Sequence, residues 1–113
     1  MLKNFLESLL KNMEYHLTLT DSFKEELSEI YDYISYRLKE KEIAEKLVRL
    51  VYKRIEDLYM FPRSFMKMYK SKKIKGDIHR LVIRKYIVLY TINKKEVFII
   101  HIFNQRMNYL NYL

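Results

Sequence analysis

The stretch IHRLVIRKYIVLYTINKKEVFIIHIF, residues 78–103, decides the fold. Three runs within it, Ile78 to Ile83, Tyr86 to Ile92 and Glu96 to Phe103, are dense in Ile, Val, Tyr and Phe, the side chains that pack best on a pleated surface. Only Arg84-Lys85 and Asn93-Lys94-Lys95 separate them. Joints that short leave no room for a crossover, so the runs predict an antiparallel meander.

Upstream the pattern is helical. Ala44, Leu47, Val48, Val51, Ile55 and Leu58 draw one apolar stripe, which must end before Pro62 because proline disfavours helical geometry in the residue before it. Phe23, Leu27, Ile30, Ile34 and Leu38 draw another, running from an N-cap at Asp21 or Ser22 to about Lys39. Glu25 and Glu26 fall in its first turn, where the helix dipole favours them. The charged break from Lys39 to Lys41 is short enough to make an antiparallel helical hairpin. Before it, Tyr15, Leu17 and Leu19 alternate with His16, Thr18 and Thr20 as a half-buried strand. Between helix and meander, Phe65 to Lys75 forms a basic, Met- and Tyr-bearing connection that ends at Gly76. The order β-α-α-β-β-β predicts an α+β domain with a helical hairpin laid on one face of a small antiparallel sheet.

Leu2, Phe5, Leu6, Leu9 and Leu10 also follow helical spacing, so residues 1–12 are expected to form a helical extension and 13–113 a single domain. Lys3, Glu7 and Lys11 interrupt that apolar run, which excludes a signal peptide or a membrane span there. The tail from Asn104 to Leu113 is polar around Tyr109 and Tyr112 and predicts a final helical turn or two.

The chain has no cysteine, so disulfides, thiolate metal sites and cysteine nucleophiles are excluded, and the composition suits a cytoplasmic protein. His16, His79 and His101 are scattered without ligand spacing, so neither a metal nor another cofactor is expected. The net charge of +8 is concentrated in residues 63–85: Arg63, Lys67, Lys70, Lys72, Lys73, Lys75, Arg80, Arg84 and Lys85 stand against Asp77 alone. The remaining 13 basic and 13 acidic residues cancel. A positive potential of this kind favours a polyanion or an acidic protein surface.

These features together resemble the ParE/RelE superfamily, the toxins of bacterial type II toxin–antitoxin systems. Glu26-Leu27-Ser28-Glu29-Ile30-Tyr31-Asp32-Tyr33-Ile34 is similar to the family's first-helix pattern. Ala44, Leu47, Ile55, Leu58, Phe61 and Pro62 match its second helix with the Phe-Pro ending. Arg80-Leu81-Val82-Ile83, Tyr86, Val88, Tyr90, Val97, Ile99, Ile100 and Arg106 follow the wording of its sheet. The resemblance runs from Tyr15 to the C-terminus and leans to the ParE branch.

What the resemblance implies divides by branch. ParE-like toxins inhibit growth by binding DNA gyrase; RelE-like toxins are ribosome-dependent mRNA endonucleases. The latter need a base for the ribose 2′-OH and cations for the developing phosphate charge. On that reading Arg80, Arg106 and Tyr109 (or Tyr112) are the catalytic candidates. Ile87 stands where the nucleases carry a strand arginine, and it favours the ParE reading, in which the chain is not an enzyme. A non-toxic nucleic-acid-binding module is the third alternative. Every toxin reading implies a cognate antitoxin whose acidic, amphipathic tail folds onto the toxin. Lys67, Lys70, Lys72, Lys73, Lys75, Arg84 and Lys85 are the expected target- or polyanion-binding surface, with no membrane partner.

Other polar residues carry plainer expectations. His101 is expected to be a half-buried, hydrogen-bonded histidine, and His79 to share an apolar face with Leu81 and Ile83. Glu25, Glu29 and Asp32 form a solvated helix face. Tyr31, Tyr86 and Tyr90 belong to core or rim.

Overall fold

In a computed structural model of the chain, the described residues are 2–4, 15–58, 67–70 and 77–106, with only the backbone described for 67–70 and 77. The elements, in chain order, are β1 (His16–Leu19), α1 (Asp21–Asp32) continued by a π turn (Tyr33–Arg37), α2 (Lys41–Asp57), β2 (Lys67–Lys70), β3 (Asp77–Ile83), β4 (Tyr86–Asn93) and β5 (Glu96–Asn104). Residues 2–4 are helical and exposed. The rest of the extension expected over 1–12 lies outside the described residues, as does the tail beyond Arg106.

The meander forms as its sequence predicts. Ile83 pairs with Tyr86 across the Arg84-Lys85 turn, and Asn93 with Glu96 across Lys94-Lys95. Two-residue hairpins favour a left-handed first residue, and Arg84 and Lys94 supply it at φ 53 and 58. The five strands lie in the order β1-β5-β4-β3-β2. Two details differ from the sequence reading. First, the sheet is mixed: β1 pairs parallel with β5, because the helical hairpin carries the chain back over the sheet. Second, the basic connection contains an edge strand, β2, antiparallel to β3 with a register shift between Lys67 and Tyr69. Four residues, two of them lysines, carry too little apolar alternation to announce a strand; the open edge of β3 supplies the backbone partners that select it.

The core lies between the sheet and the helical hairpin. Phe23, Leu27 and Ile34 of the first helical segment and Ala44, Leu47, Val51 and Ile55 of α2 meet Leu81, Ile83, Val88, Tyr90, Ile92, Val97, Ile99 and Ile102. Central β4 is buried on both faces, since Ile87 and Leu89 point to the opposite side and form a second cluster with Phe103. That double burial explains why β4 reads as a continuous apolar run instead of an alternating one.

Two breaks in periodicity reshape the surface. In β5, Leu89 pairs with His101 and Tyr90 with Ile99, so Ile100 is an extra bulged residue. The bulge sends Ile99 into the main core while His101 stacks on Phe103, ring centroids 5.1 Å apart. Strict alternation along a strand would put Ile99 and His101 on one face, and the bulge separates them. In the first helical segment, the Leu38 N–H donates to the Tyr33 carbonyl, a π-type bond of 3.1 Å. This widening rotates Leu38 off the stripe, leaving it 49% exposed. The N-cap is Thr20, one residue earlier than Asp21: its Oγ1 accepts from the Phe23 N–H at 3.3 Å and donates to the Ile99 carbonyl at 2.8 Å. One hydroxyl thus caps α1 and ties it to β5.

Candidate functional site

The β3–β4 turn is built from two cations, Arg84 and Lys85, and the end of β5 holds it in place. The Gln105 N–H donates to the Lys85 carbonyl at 2.7 Å, and the Gln105 Nε2 donates to the Arg84 carbonyl at 2.8 Å. The Asn104 Oδ1 accepts from the Arg106 N–H at 3.0 Å, an Asx-type turn at the end of β5. Arg84, Lys85, Asn104, Gln105 and Arg106 line one open cavity of ≈ 510 Å³. Among the described residues its lining holds three cations and no carboxylate.

Two further hollows meet at the same turn. Between the π turn and the start of α2, a hollow of ≈ 560 Å³ is lined by Ile34, Leu38, Ile43 and Leu47, with Lys46, Arg84 and Lys85 among its charged residues and Glu40 also present. Its apolar floor is open: Leu38 and Ile43 are 49% and 54% exposed. On the other side of Tyr86, a hollow of ≈ 280 Å³ runs between Glu29, Tyr33 and Asn104. Burial, and then the neighbouring Tyr33, push the Tyr86 hydroxyl above its ordinary pKa. The Lys85 Nζ sits 5.7 Å from the Tyr86 ring centroid, within cation–π range.

Beside the second hollow, the Glu26 carboxylate lies 3.0 and 3.1 Å from the His101 Nδ1 and accepts from the Ile102 N–H at 3.2 Å. An ionised carboxylate only accepts, so the Nδ1 carries the proton in this bond. His101 is half-buried and hydrogen-bonded, as expected. Glu26, by taking the Ile102 N–H, closes the sheet edge where β1 ends.

The structure divides the sequence's site candidates. It brings Arg84, Lys85 and Arg106 together. Arg80 stands apart, paired with Leu89 in mid-β3, about 13 Å along the strand from Arg84 at about 3.3 Å per residue. Lys67 and Lys70 lie on β2 against His79 and Asp77, at the far end of β3 from the turn, so these two positions stand apart from Arg84 and Lys85. Lys72, Lys73, Lys75 and Tyr109 lie outside the described residues. Ile87 is buried with Leu89 and Phe103. Sequence reading missed Glu26 as an edge-closing group, Asn104 and Gln105 as the clamp, and the open apolar hollow. Its one available signal was Leu38 and Ile43, aliphatic residues flanking a charged break. Among the described residues no group of three His, Asp or Glu is placed to hold a metal ion. No helix among them is long and apolar enough to cross a membrane.

Known proteins share this fold. Residues 17–109 match the family model described as the ParE toxin of the type II toxin–antitoxin system parDE. A solved structure titled as the chromosomal ParDE toxin–antitoxin system from P. aeruginosa superposes with a TM-score of 0.66 at 21% sequence identity, over 82% of this chain and 97% of that one. No curated protein matches. With a family match spanning both helices and the whole meander, the chain belongs to the ParE toxin family of type II toxin–antitoxin systems.

Proposed function

We propose that this chain arrests growth by binding DNA gyrase, without covalent chemistry of its own, and that a cognate antitoxin neutralises it. The observation that carries the reading is the ParE family match across residues 17–109. The site's chemistry supports it. Ile87, at the position where the nuclease branch has an arginine, is packed with Leu89 and Phe103 and cannot stabilise a phosphate charge. Arg80 and Arg106, two members of the nuclease set, sit apart, the first in mid-β3 and the second in the turn past the end of β5. His101 is committed to Glu26.

The hollow between the π turn and α2 suits the antitoxin. Ile34, Leu38, Ile43 and Leu47 offer apolar anchoring, while Lys46, Arg84 and Lys85 complement an acidic segment. An amphipathic helix or strand folding there gains burial and charge pairing together.

Brief induction of the protein, with two readouts on the same cells, tests the proposal. Gyrase-linked DNA breaks or lost supercoiling with uncut mRNA is the expected result. Codon-phased mRNA cuts with intact DNA would replace it with the endonuclease reading. Normal growth with neither signal would leave the non-toxic nucleic-acid-binding module.

A further inference from the structure

The cavity at the β3–β4 turn differs in chemistry from the hollow beside it. All five described lining residues are polar or charged, three of them are cations, and none of them is acidic. Among the described residues no carboxylate forms an ion pair with Arg84, Lys85 or Arg106. The turn is also held in place: both of its carbonyls receive hydrogen bonds from Gln105, at 2.7 and 2.8 Å. Arg84 takes a left-handed backbone at φ 53, as Lys94 does in the β4–β5 turn, so it occupies the first position of a two-residue hairpin turn.

An acidic protein segment needs apolar anchors as well as cations, and those lie in the neighbouring hollow. A phosphodiester needs only charge and donors. Guanidinium forks match phosphate oxygens two at a time, and a lysine beside them adds a point charge. We propose that Arg84, Lys85 and Arg106 form a phosphate-binding site that holds the backbone of duplex DNA, so that this toxin touches DNA directly. The Asn104 and Gln105 side chains position the turn and the last arginine. The interaction is sequence-independent, because the Gln105 and Asn104 side chains are already engaged by backbone groups and the three cations meet phosphate charge. It goes beyond gyrase binding and stands or falls separately, since it requires only the purified chain and DNA.

The test is fluorescence anisotropy of the full-length protein with a short random-sequence DNA duplex across a salt series. The Arg84→Ala/Arg106→Ala variant is compared with a charge-matched control, Arg49→Ala/Lys53→Ala, on the exposed face of α2. The cradle variant should bind at least about tenfold more weakly at low salt, and its salt slope should fall by about 0.9 for each phosphate it no longer neutralises. Arg84→Lys/Arg106→Lys should fall between it and the wild type, keeping the charge but not the fork. Thermal melts of the variants show that they remain folded. Equal losses of affinity in the cradle and control pairs would reduce the effect to net charge and overturn the site. So would an unchanged salt slope in the cradle variant, or binding of a polyglutamate peptide of matched charge as tight as that of the duplex.

Discussion

The Glu26 carboxylate faces His101 at 3.0 Å and takes the Ile102 N–H at 3.2 Å, at the point where β1 stops covering β5. A helix side chain therefore completes the edge of a sheet. Glu26→Ala leaves two partly buried donors without their acceptor and should cost about 1–3 kcal/mol. Glu26→Gln retains an acceptor oxygen and should cost less. Urea unfolding of the two variants checks both the magnitude and the order; equal destabilisation would mean that the negative charge, which Gln lacks, carries the whole effect.

Tyr90 is fully buried between the sheet and the helices, and burial raises its hydroxyl well above the ordinary value of 10.0. The unfolded chain releases this proton near pH 10 while the folded chain keeps it. Above that pH the unfolded state therefore binds fewer protons, and stability falls as pH rises. The contribution is fully present below about pH 10 and lost above it. Tyr90→Phe removes the titrating group, so the variant's stability should fall less steeply between pH 9 and about 11 than the wild type's. Chemical denaturation at matched ionic strength measures the two slopes.

Arg84 carries its guanidinium on a left-handed backbone, which only glycine adopts freely. Arg84→Gly should therefore stabilise the fold by about 0.5–1 kcal/mol while weakening DNA binding. A higher melting temperature together with lower duplex affinity is the expected pair of results. A lower melting temperature would show that the arginine side chain stabilises the turn.

Leu38 and Ile43 are open to solvent on the floor of the larger hollow. Leu38→Asp/Ile43→Asp should change stability by no more than about 0.5 kcal/mol per site, as for other surface substitutions. It should leave growth arrest intact and abolish rescue by the co-expressed antitoxin. Rescue at wild-type levels would move the antitoxin footprint elsewhere.

Phe23 is completely buried at the meeting of α1 with the sheet, whereas Val82 is 44% exposed on the opposite face. Phe23→Ala should cost about 3–5 kcal/mol and Val82→Ala well under 1 kcal/mol. Calorimetric or denaturant melts separate the two directly.

Much of the architecture was legible in one dimension. Helical stripes, short basic joints and β-rich runs are local signals, and each is set by side chains a few residues apart. The ParE-like wording of the helices and sheet was legible for the same reason, as an ordered set of local patterns. The details that went astray depend on neighbours distant in sequence. The sheet edge selected β2, although its own residues favour it little. Thr20 became the N-cap because its hydroxyl also reaches Ile99.

Local pattern alone was enough to specify the helical hairpin, the meander and the concentration of charge in residues 63–85, because periodicity and composition are properties of neighbouring residues. Which cations lie side by side was decided by the folded arrangement. The length of β3 keeps Lys67 and Lys70 apart from the Arg84-Lys85 turn, and the return of β5 brings Arg106 to that turn from more than 20 positions away. A cavity formed from two chain segments leaves no trace in the spacing of either, since the sheet register that aligns them is fixed by backbone pairing and core burial.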